Sequence, residues 1–246
     1  MARRKRKSGR LGAVVMAAVV AATIVVVIKV RRDHEREPKL GMPHDCRLGP
    51  TTPGIDVSYY QGDITWPRVA RSGVKFAFIR VADGTDIFDT KFEANWRGAG
   101  NAKILRGAYQ YFRADQSPTD QADVVIRALR KYGMGELPPV IDVEDNAGLP
   151  LSTVAARAQA WIARIRTELK VEPIVYTNPG MWAYRAVPEL ATQTLWIAHY
   201  TEGCPELPRP FEKWSFWQYT DNGRVPGIEG PVDLDVFDGD LTGRAR

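Results

Sequence analysis

The sequence predicts an α/β fold with a parallel sheet, closed as a barrel or left open and doubly wound, behind a single N-terminal transmembrane helix. Three observations point there. Between residues 54 and 177 short apolar runs alternate with longer helical patterns, the βαβα order that gives parallel strands joined by crossover helices. The last third keeps strand-like runs but loses helical periodicity, as a barrel without its late helices would. Ahead of all this, an uncharged apolar run from Leu11 to Ile28 follows a cluster of basic residues.

That run, as a helix, spans about 27 Å, close to a hydrocarbon core of about 30 Å. A cleavable signal peptide is the competing reading, with Val20-Ala21-Ala22 as the small-residue site. The apolar stretch continues through Thr23 to Ile28, beyond a usual signal core, which favours an uncleaved anchor. The denser positive cluster, Arg3 to Arg10, puts the N-terminus inside and the domain outside. Residues 1–10 therefore read as a basic cytoplasmic tail, 11–30 as a transmembrane signal anchor, 31–53 as a charged and Pro/Gly-containing linker, and 54–246 as the globular domain.

Charge excludes one class of partner. Residues 1–40 hold 11 of the 34 Lys/Arg and 3 of the 29 Asp/Glu, leaving 23 basic and 26 acidic residues for the domain. The overall +5 thus belongs to the leader, and a nucleic-acid surface is not expected on a mildly acidic domain. The two cysteines, Cys46 and Cys204, fit one disulfide in an exported domain or two separate thiols. Neither shows metal-ligand spacing with His34, His44 or His199, so no zinc site is expected from them.

Within the domain, strands are expected at 54–58, 75–81, 105–112, 140–144 and 173–177. Helices are expected at 66–71, 90–99, 118–131 and 152–169. Late strands follow at 195–198, 214–219 and 232–237. No dinucleotide-binding glycine pattern follows the first strand and no phosphate loop occurs.

The chemistry concentrates in Pro139-Val140-Ile141-Asp142-Val143-Glu144. As a strand it places Asp142 and Glu144 on one face, roughly 7 Å apart along the chain, at the C-terminal end where α/β barrels keep their sites. If strand ends share one rim, Asp56, Asp83, Asp233 and Asp235 join them. Crowded carboxylates without a nucleophile elbow suit glycosidic cleavage, which needs one protonated acid and one anionic group near the sugar. Divalent-metal binding is the physical rival. Tyr59, Tyr60, Tyr109, Tyr111, Phe112, Tyr176, Trp196, Tyr200, Trp217 and Tyr219 fall at or near predicted strand ends, where ring faces can stack on sugars.

The chain resembles the glycoside hydrolase family 25 lysozymes, the Chalaropsis-type muramidases. The resemblance is carried by Gly54-Ile55-Asp56-Val57-Ser58 with Gln61-Gly62, by Phe88-Asp89 through Asn95 before Gly107-Ala108-Tyr109, and by Pro139 to Glu144. It continues through Ile174-Val175-Tyr176-Thr177-Asn178, Leu195-Trp196-Ile197-Ala198-His199-Tyr200, Trp217-Gln218-Tyr219-Thr220 and Gly227-Ile228 with Val232-Asp233-Leu234-Asp235. It implies a TIM-like barrel of the (β/α)5(β)3 type over 54–246, hydrolysis of the β-1,4 bond between N-acetylmuramic acid and N-acetylglucosamine, no cofactor, and a monomeric domain. It also implies Glu144 as proton donor, Asp142 acting through the substrate's acetamido group, and Asp56 and Asp233 as further acids of the cleft. Tyr109, Tyr176, Trp196, Tyr200 and Gln218 become substrate contacts. Asp235 stands where the family often has Asn, and Arg80-Val81-Ala82-Asp83-Gly84 and Tyr109-Gln110-Tyr111-Phe112 depart from the usual motifs. A wall-binding module without catalysis and a glycosidase for another N-acetylated glycan such as chitin are the alternatives.

Overall fold

The computed structural model describes residues 50–182 and 187–241. The expected cytoplasmic tail and anchor, and all but the end of the linker, lie outside the described residues. Among the described residues no helix is long and apolar enough to cross a membrane.

The described residues hold nine strands: β1 (Thr51–Val57), β2 (Phe76–Asp83), β3 (Ile87–Phe88), β4 (Leu105–Tyr111), β5 (Val140–Val143), β6 (Ile174–Thr177), β7 (Thr194–Ala198), β8 (Phe216–Gly223) and β9 (Val232–Asp238). Eight of them close a barrel in the order β1-β2-β4-β5-β6-β7-β8-β9, with β9 returning to β1. Pairing is parallel from β1 round to β8 and antiparallel on both sides of β9. The doubly wound alternative is thereby excluded, and the fold is a TIM-like barrel.

Among the described residues four helices pack outside: α1 (Trp66–Arg71), α2 (Phe92–Asn101), α3 (Pro118–Tyr132) and α4 (Leu151–Leu169). Their ends are set by local chemistry. Pro67 occupies the first turn of α1, Ser117 accepts from the Asp120 N–H at the start of α3 with Pro118 as its first residue, and Gly133 closes α3 at φ 92°. Between β6 and β7 the described residues carry only a 3-10 turn, Pro188–Leu190. The barrel wall there and beyond is covered by a loop: Trp214, Phe211 and Leu207 pack over Leu195, Ile197, Trp217 and Val236.

The two-residue period of each strand sorts side chains into two cores. Ile55, Ala77, Ile79, Ala108, Ile141 and Val175 point outward and pack beneath the helices with Val125, Trp161 and Ile165. Phe76, Phe78, Tyr109, Val140, Ile174, Tyr176, Trp196 and Phe216 point inward. The inner aromatics form a plug: Phe78 stacks on Trp196 at 4.3 Å, and Phe216 meets the edges of Phe76 and Phe78. Two glycines make room for it, since a Cβ at Gly54 would overlap the Phe76 ring and one at Gly107 the Phe78 ring. The barrel is therefore blind at its N-terminal end and open only at the C-terminal rim.

The sheet differs from the sequence reading at β8, which spans 216–223 where 214–219 is expected, and at two further places. β1 starts at Thr51, inside the segment read as linker, because 51–53 pair antiparallel with 236–238, a partner far along the chain that local pattern does not reveal. The strand Ile87–Phe88 also went unread. It is a two-residue return of β2, pairing Phe88 with Ala82 and Ile87 with Asp83, too short to show periodicity.

Candidate active site

The C-terminal rim gathers the acids in depth order. β1, β4, β5 and β6 run upward, so Asp56, Tyr111, Asp142 and Tyr176 arrive near their ends, with Glu144 just past β5. β9 runs downward, so its acids come early, Asp233 at the rim and Asp235 one layer lower. With Ser58, Gln61, Arg80, Asp83, Arg113, Tyr200 and Gln218 these residues, all but the deeper Asp235, line a cleft of about 380 Å³. All four expected acids and all five expected contacts, Tyr109, Tyr176, Trp196, Tyr200 and Gln218, line it. A larger cavity of about 650 Å³ lies at the opposite end, around Trp96, Arg97, Lys103 and Arg106, and contains none of the clustered acids.

Gln218 ties the floor together. Its Nε2 donates to Asp56 Oδ2 at 2.6 Å, while its Oε1 accepts from the hydroxyls of Tyr176 at 2.9 Å and Tyr200 at 2.8 Å. Below it, Trp196 Nε1 donates to Asp235 Oδ1 at 2.9 Å. At the side, Arg80 bonds to the buried Asp89 at 3.1 Å and lies beneath the rings of Tyr59 and Tyr60. Arg113 grips Asp83 through two bonds of 2.5 and 2.7 Å and covers Tyr111. Behind the wall, Trp161 Nε1 donates to the buried Gln110.

Burial dominates the electrostatics. Asp56, Asp142 and Asp235 are 6%, 5% and 1% exposed. Desolvation pushes all three carboxyls well above the ordinary range. Asp233 and Asp235 add to the rise at Asp56, and Glu144 adds to the rise at Asp142. Asp233 is raised to about 6, by burial and then by Asp221. Glu144 is raised by burial and by Asp145, against a hydrogen bond from Tyr176 that favours its ionised form. Two carboxylate oxygens, Asp142 Oδ1 and Asp235 Oδ2, are buried with no protein donor. Asp56 stands beside Asp235, and two acceptors so placed bond only when one of them holds a proton. Burial and crowding thus bias the cluster toward its protonated forms, the direction that acid catalysis by a carboxyl group requires.

The aromatic reading needs correction by depth. Trp196 is 1% exposed, with its face on Phe78 and its N–H on Asp235, so it supports the floor and cannot stack on a sugar. Tyr109 and Tyr176 are nearly buried, while Phe112 and Trp217 sit in the outer cores. Exposed ring faces belong to Tyr59, Tyr60 and Tyr200. Arg80 and Arg113, which the sequence reading did not single out, bring the cleft its only cations among the described lining residues. Arg80 was legible by parity, two residues after the inward Phe78. Among the described residues no group of three or more His, Cys, Asp or Glu is arranged to hold a metal ion. Cys204 is disulfide-bonded, and the chain's only other cysteine, Cys46, lies outside the described residues.

Comparison with known proteins agrees with this geometry. The model of the glycosyl hydrolases family 25 matches residues 55–228. Lysozyme M1 of Streptomyces globisporus is 35% identical over 217 residues, covering 80% of this chain and 72% of that protein. The bacterial lysozyme from Streptomyces coelicolor superposes with a TM-score of 0.70 at 33% identity, covering 78% of this chain and 94% of that one. A family 25 glycosyl hydrolase from Bacillus anthracis gives a TM-score of 0.66 at 30% identity, covering 81% and 96%. A blind barrel, a rim of crowded, buried carboxyl groups and these likenesses converge: the chain belongs to the glycosyl hydrolases of family 25 and is a glycoside hydrolase of the lysozyme type.

Proposed function

We propose that the protein hydrolyses the β-1,4 bond between N-acetylmuramic acid and N-acetylglucosamine in peptidoglycan. Glu144 donates the proton and Asp142 serves the adjoining sugar. The observation that carries this reading is the position of the Asp142–Glu144 pair: Asp142 lies deep in the blind cleft, while Glu144 lines both the cleft and a neighbouring lobe.

In the free protein burial pushes both Asp142 and Glu144 up, so both carboxyls are biased toward holding a proton. Geometry decides the donor, because the donor must reach an oxygen between two sugars. An acetamido N–H offered to Asp142 stabilises its anionic form, and the pair's remaining proton then resides on Glu144. Transfer of that proton to the glycosidic oxygen accompanies cleavage of the bond to the anomeric carbon. Asp142, directly or through the acetamido group, stabilises the positive charge, and water completes the hydrolysis. Asp56, held by Gln218, and Asp233 line the cleft around the sugar.

The test is mass spectrometry of products from purified peptidoglycan and from chitin oligomers, with wild-type protein and Glu144→Gln. New N-acetylmuramic acid reducing ends from wild type, reduced by about a thousandfold or more in the variant, are expected if acid catalysis resides at Glu144. Unchanged activity in Glu144→Gln would falsify its role, and binding without cleavage by wild type would make the domain a wall-binding module.

The same reading includes the N-terminal division. Residues 11–30 anchor the chain, 1–10 stay cytoplasmic, and the domain works extracytoplasmically on nearby wall. Fractionation of the full chain, with protease added to intact spheroplasts, tests it: degradation of the domain is expected, and protection overturns it.

A further inference from the structure

Beside the acidic cleft, and sharing Glu144, Tyr176 and Tyr200 with it, lies a second lobe of about 360 Å³. It is completed by Asn178, Pro179, Gly180, Ala198 and His199, and of the clustered acids it contains only Glu144. Its size falls within the roughly 300–1,000 Å³ of small-ligand sites.

We propose that this lobe binds the departing sugar, with His199 Nε2–H and Asn178 Nδ2–H as its hydrogen-bond donors and the Tyr200 ring as its stacking face. The assignment rests on the glycosidase reading above, and three observations carry it further.

The first is the division of charge. Asp56, Asp142 and Asp233 surround the first lobe, where the sugar that gains positive charge must lie. The second lobe has no such group, as suits a sugar that leaves neutral. Glu144 stands in the wall common to both, which is where a proton reaches the oxygen joining two rings.

The second is polarity. His199 Nδ1 accepts from the Glu206 N–H at 3.0 Å, so the neutral ring carries its proton on Nε2. Asn178 Oδ1 accepts from the Met181 N–H at 2.8 Å, which turns the amide's NH2 side to other partners. Both side chains are thus fixed as donors. A sugar bearing hydroxyl and acetamido oxygens supplies the acceptors.

The third is rigidity. The His199 N–H donates to Gln218 O at 3.1 Å, and its carbonyl accepts from Trp217 Nε1 at 2.9 Å. The Tyr200 hydroxyl is held by Gln218 at 2.8 Å while the residue is 52% exposed, leaving a fixed ring available for stacking. A site so constrained loses little entropy on binding.

The competing role for His199 is a clasp that merely holds the loop to Glu206. Two substitutions separate the roles, because Gln can place an N–H where Nε2 stands, whereas Asn can place an acceptor where Nδ1 stands. The experiment uses the full chain and two substrates with the same retained sugars: a peptidoglycan oligosaccharide, from which a sugar departs, and its aryl glycoside, from which a phenol departs. For His199→Ala we expect kcat/KM on the oligosaccharide to fall about tenfold relative to the aryl glycoside, the scale of one hydrogen bond. His199→Gln should restore most of the ratio and His199→Asn should not. Equal losses on both substrates, or rescue by Asn in place of Gln, overturn the proposal. Failure of wild type to cleave either substrate overturns the glycosidase reading and this subsite together.

Discussion

At the residue scale, the Tyr176 hydroxyl is the most economical link between substrate-facing acid and barrel floor. It has one proton and two claimants. In the free structure it donates to Gln218 Oε1 at 2.9 Å, yet it also stands against Glu144, where donation would favour the carboxylate. One proton cannot serve both. When Glu144 is protonated it can donate to the tyrosine, which donates onward to Gln218; when Glu144 is spent, the hydroxyl turns to it. Gln218 keeps a second donor in Tyr200, so its own grip on Asp56 survives the exchange. Tyr176→Phe removes the group that stabilises ionised Glu144, and the Glu144 carboxyl then moves further up. We expect the alkaline limb of the pH profile of kcat/KM to shift to higher pH and kcat to fall severalfold, within the reach of one charge-assisted hydrogen bond. A limb that stays in place, in profiles of wild type and variant measured in parallel, would show that Tyr176 does not touch the titrating acid.

At the element scale, most of the barrel could be read in the sequence, and the parts that could not share a physical cause. Strands such as 75–81 and 140–144 announce themselves because buried parallel strands are apolar throughout, and Ser117-Pro118 and Gly133 mark α3 by caps that act locally. The early start of β1 at Thr51 depends on β9, and β3 is two residues long; both are tertiary facts. The same limit divides the site. Parity places Asp56, Asp142, Tyr109, Tyr176 and Trp196 inside the barrel, but not at which depth, so Trp196 reads as a sugar platform when it is floor. Depth is fixed by which residues fill the plug below, and there the glycines matter. Gly107 on β4 faces Phe78, and a methyl group would press on the ring that carries Trp196 and, through it, Asp235. Gly107→Ala should cost about 1–3 kcal/mol by overpacking, measured by denaturant unfolding. It should lower activity as well, because the displaced ring pushes the floor of the cleft. A loss of stability with unchanged activity would mean that the plug relaxes away from the site.

At the scale of the whole molecule, two populations of carboxylates pull stability in opposite directions with pH. On the outer surface Glu136 has its burial outweighed by hydrogen bonds from Arg106, and Glu172 is bonded by Arg166; both are held below their usual range. Their contribution is present above the unfolded carboxylate pKa and is lost as pH falls through the folded one. In the cleft Asp56, Asp142, Asp233 and Asp235 are raised, so their folded forms hold protons that the unfolded chain releases. Their contribution is complete below the unfolded value and is lost as pH rises through the folded value. For Asp233 that window runs from 3.8 to about 6. Two pH units correspond to about 3 kcal/mol as an upper bound. The protein should therefore be most stable in mildly acidic solution, and the charge that catalysis requires at the rim should weaken the fold at neutrality. Asp233→Asn isolates one contribution, since the amide keeps the shape and cannot ionise. Thermal melts from pH 4 to pH 7 should show wild type losing stability across that interval and the variant losing less of it. At pH 7 the variant should melt higher while turning over more slowly, because the cleft has lost an anion that faces the sugar. Parallel melting curves for the two proteins would place the titrating proton elsewhere in the cluster, on Asp56, Asp142 or Asp235, whose deeper burial would then carry the whole pH dependence.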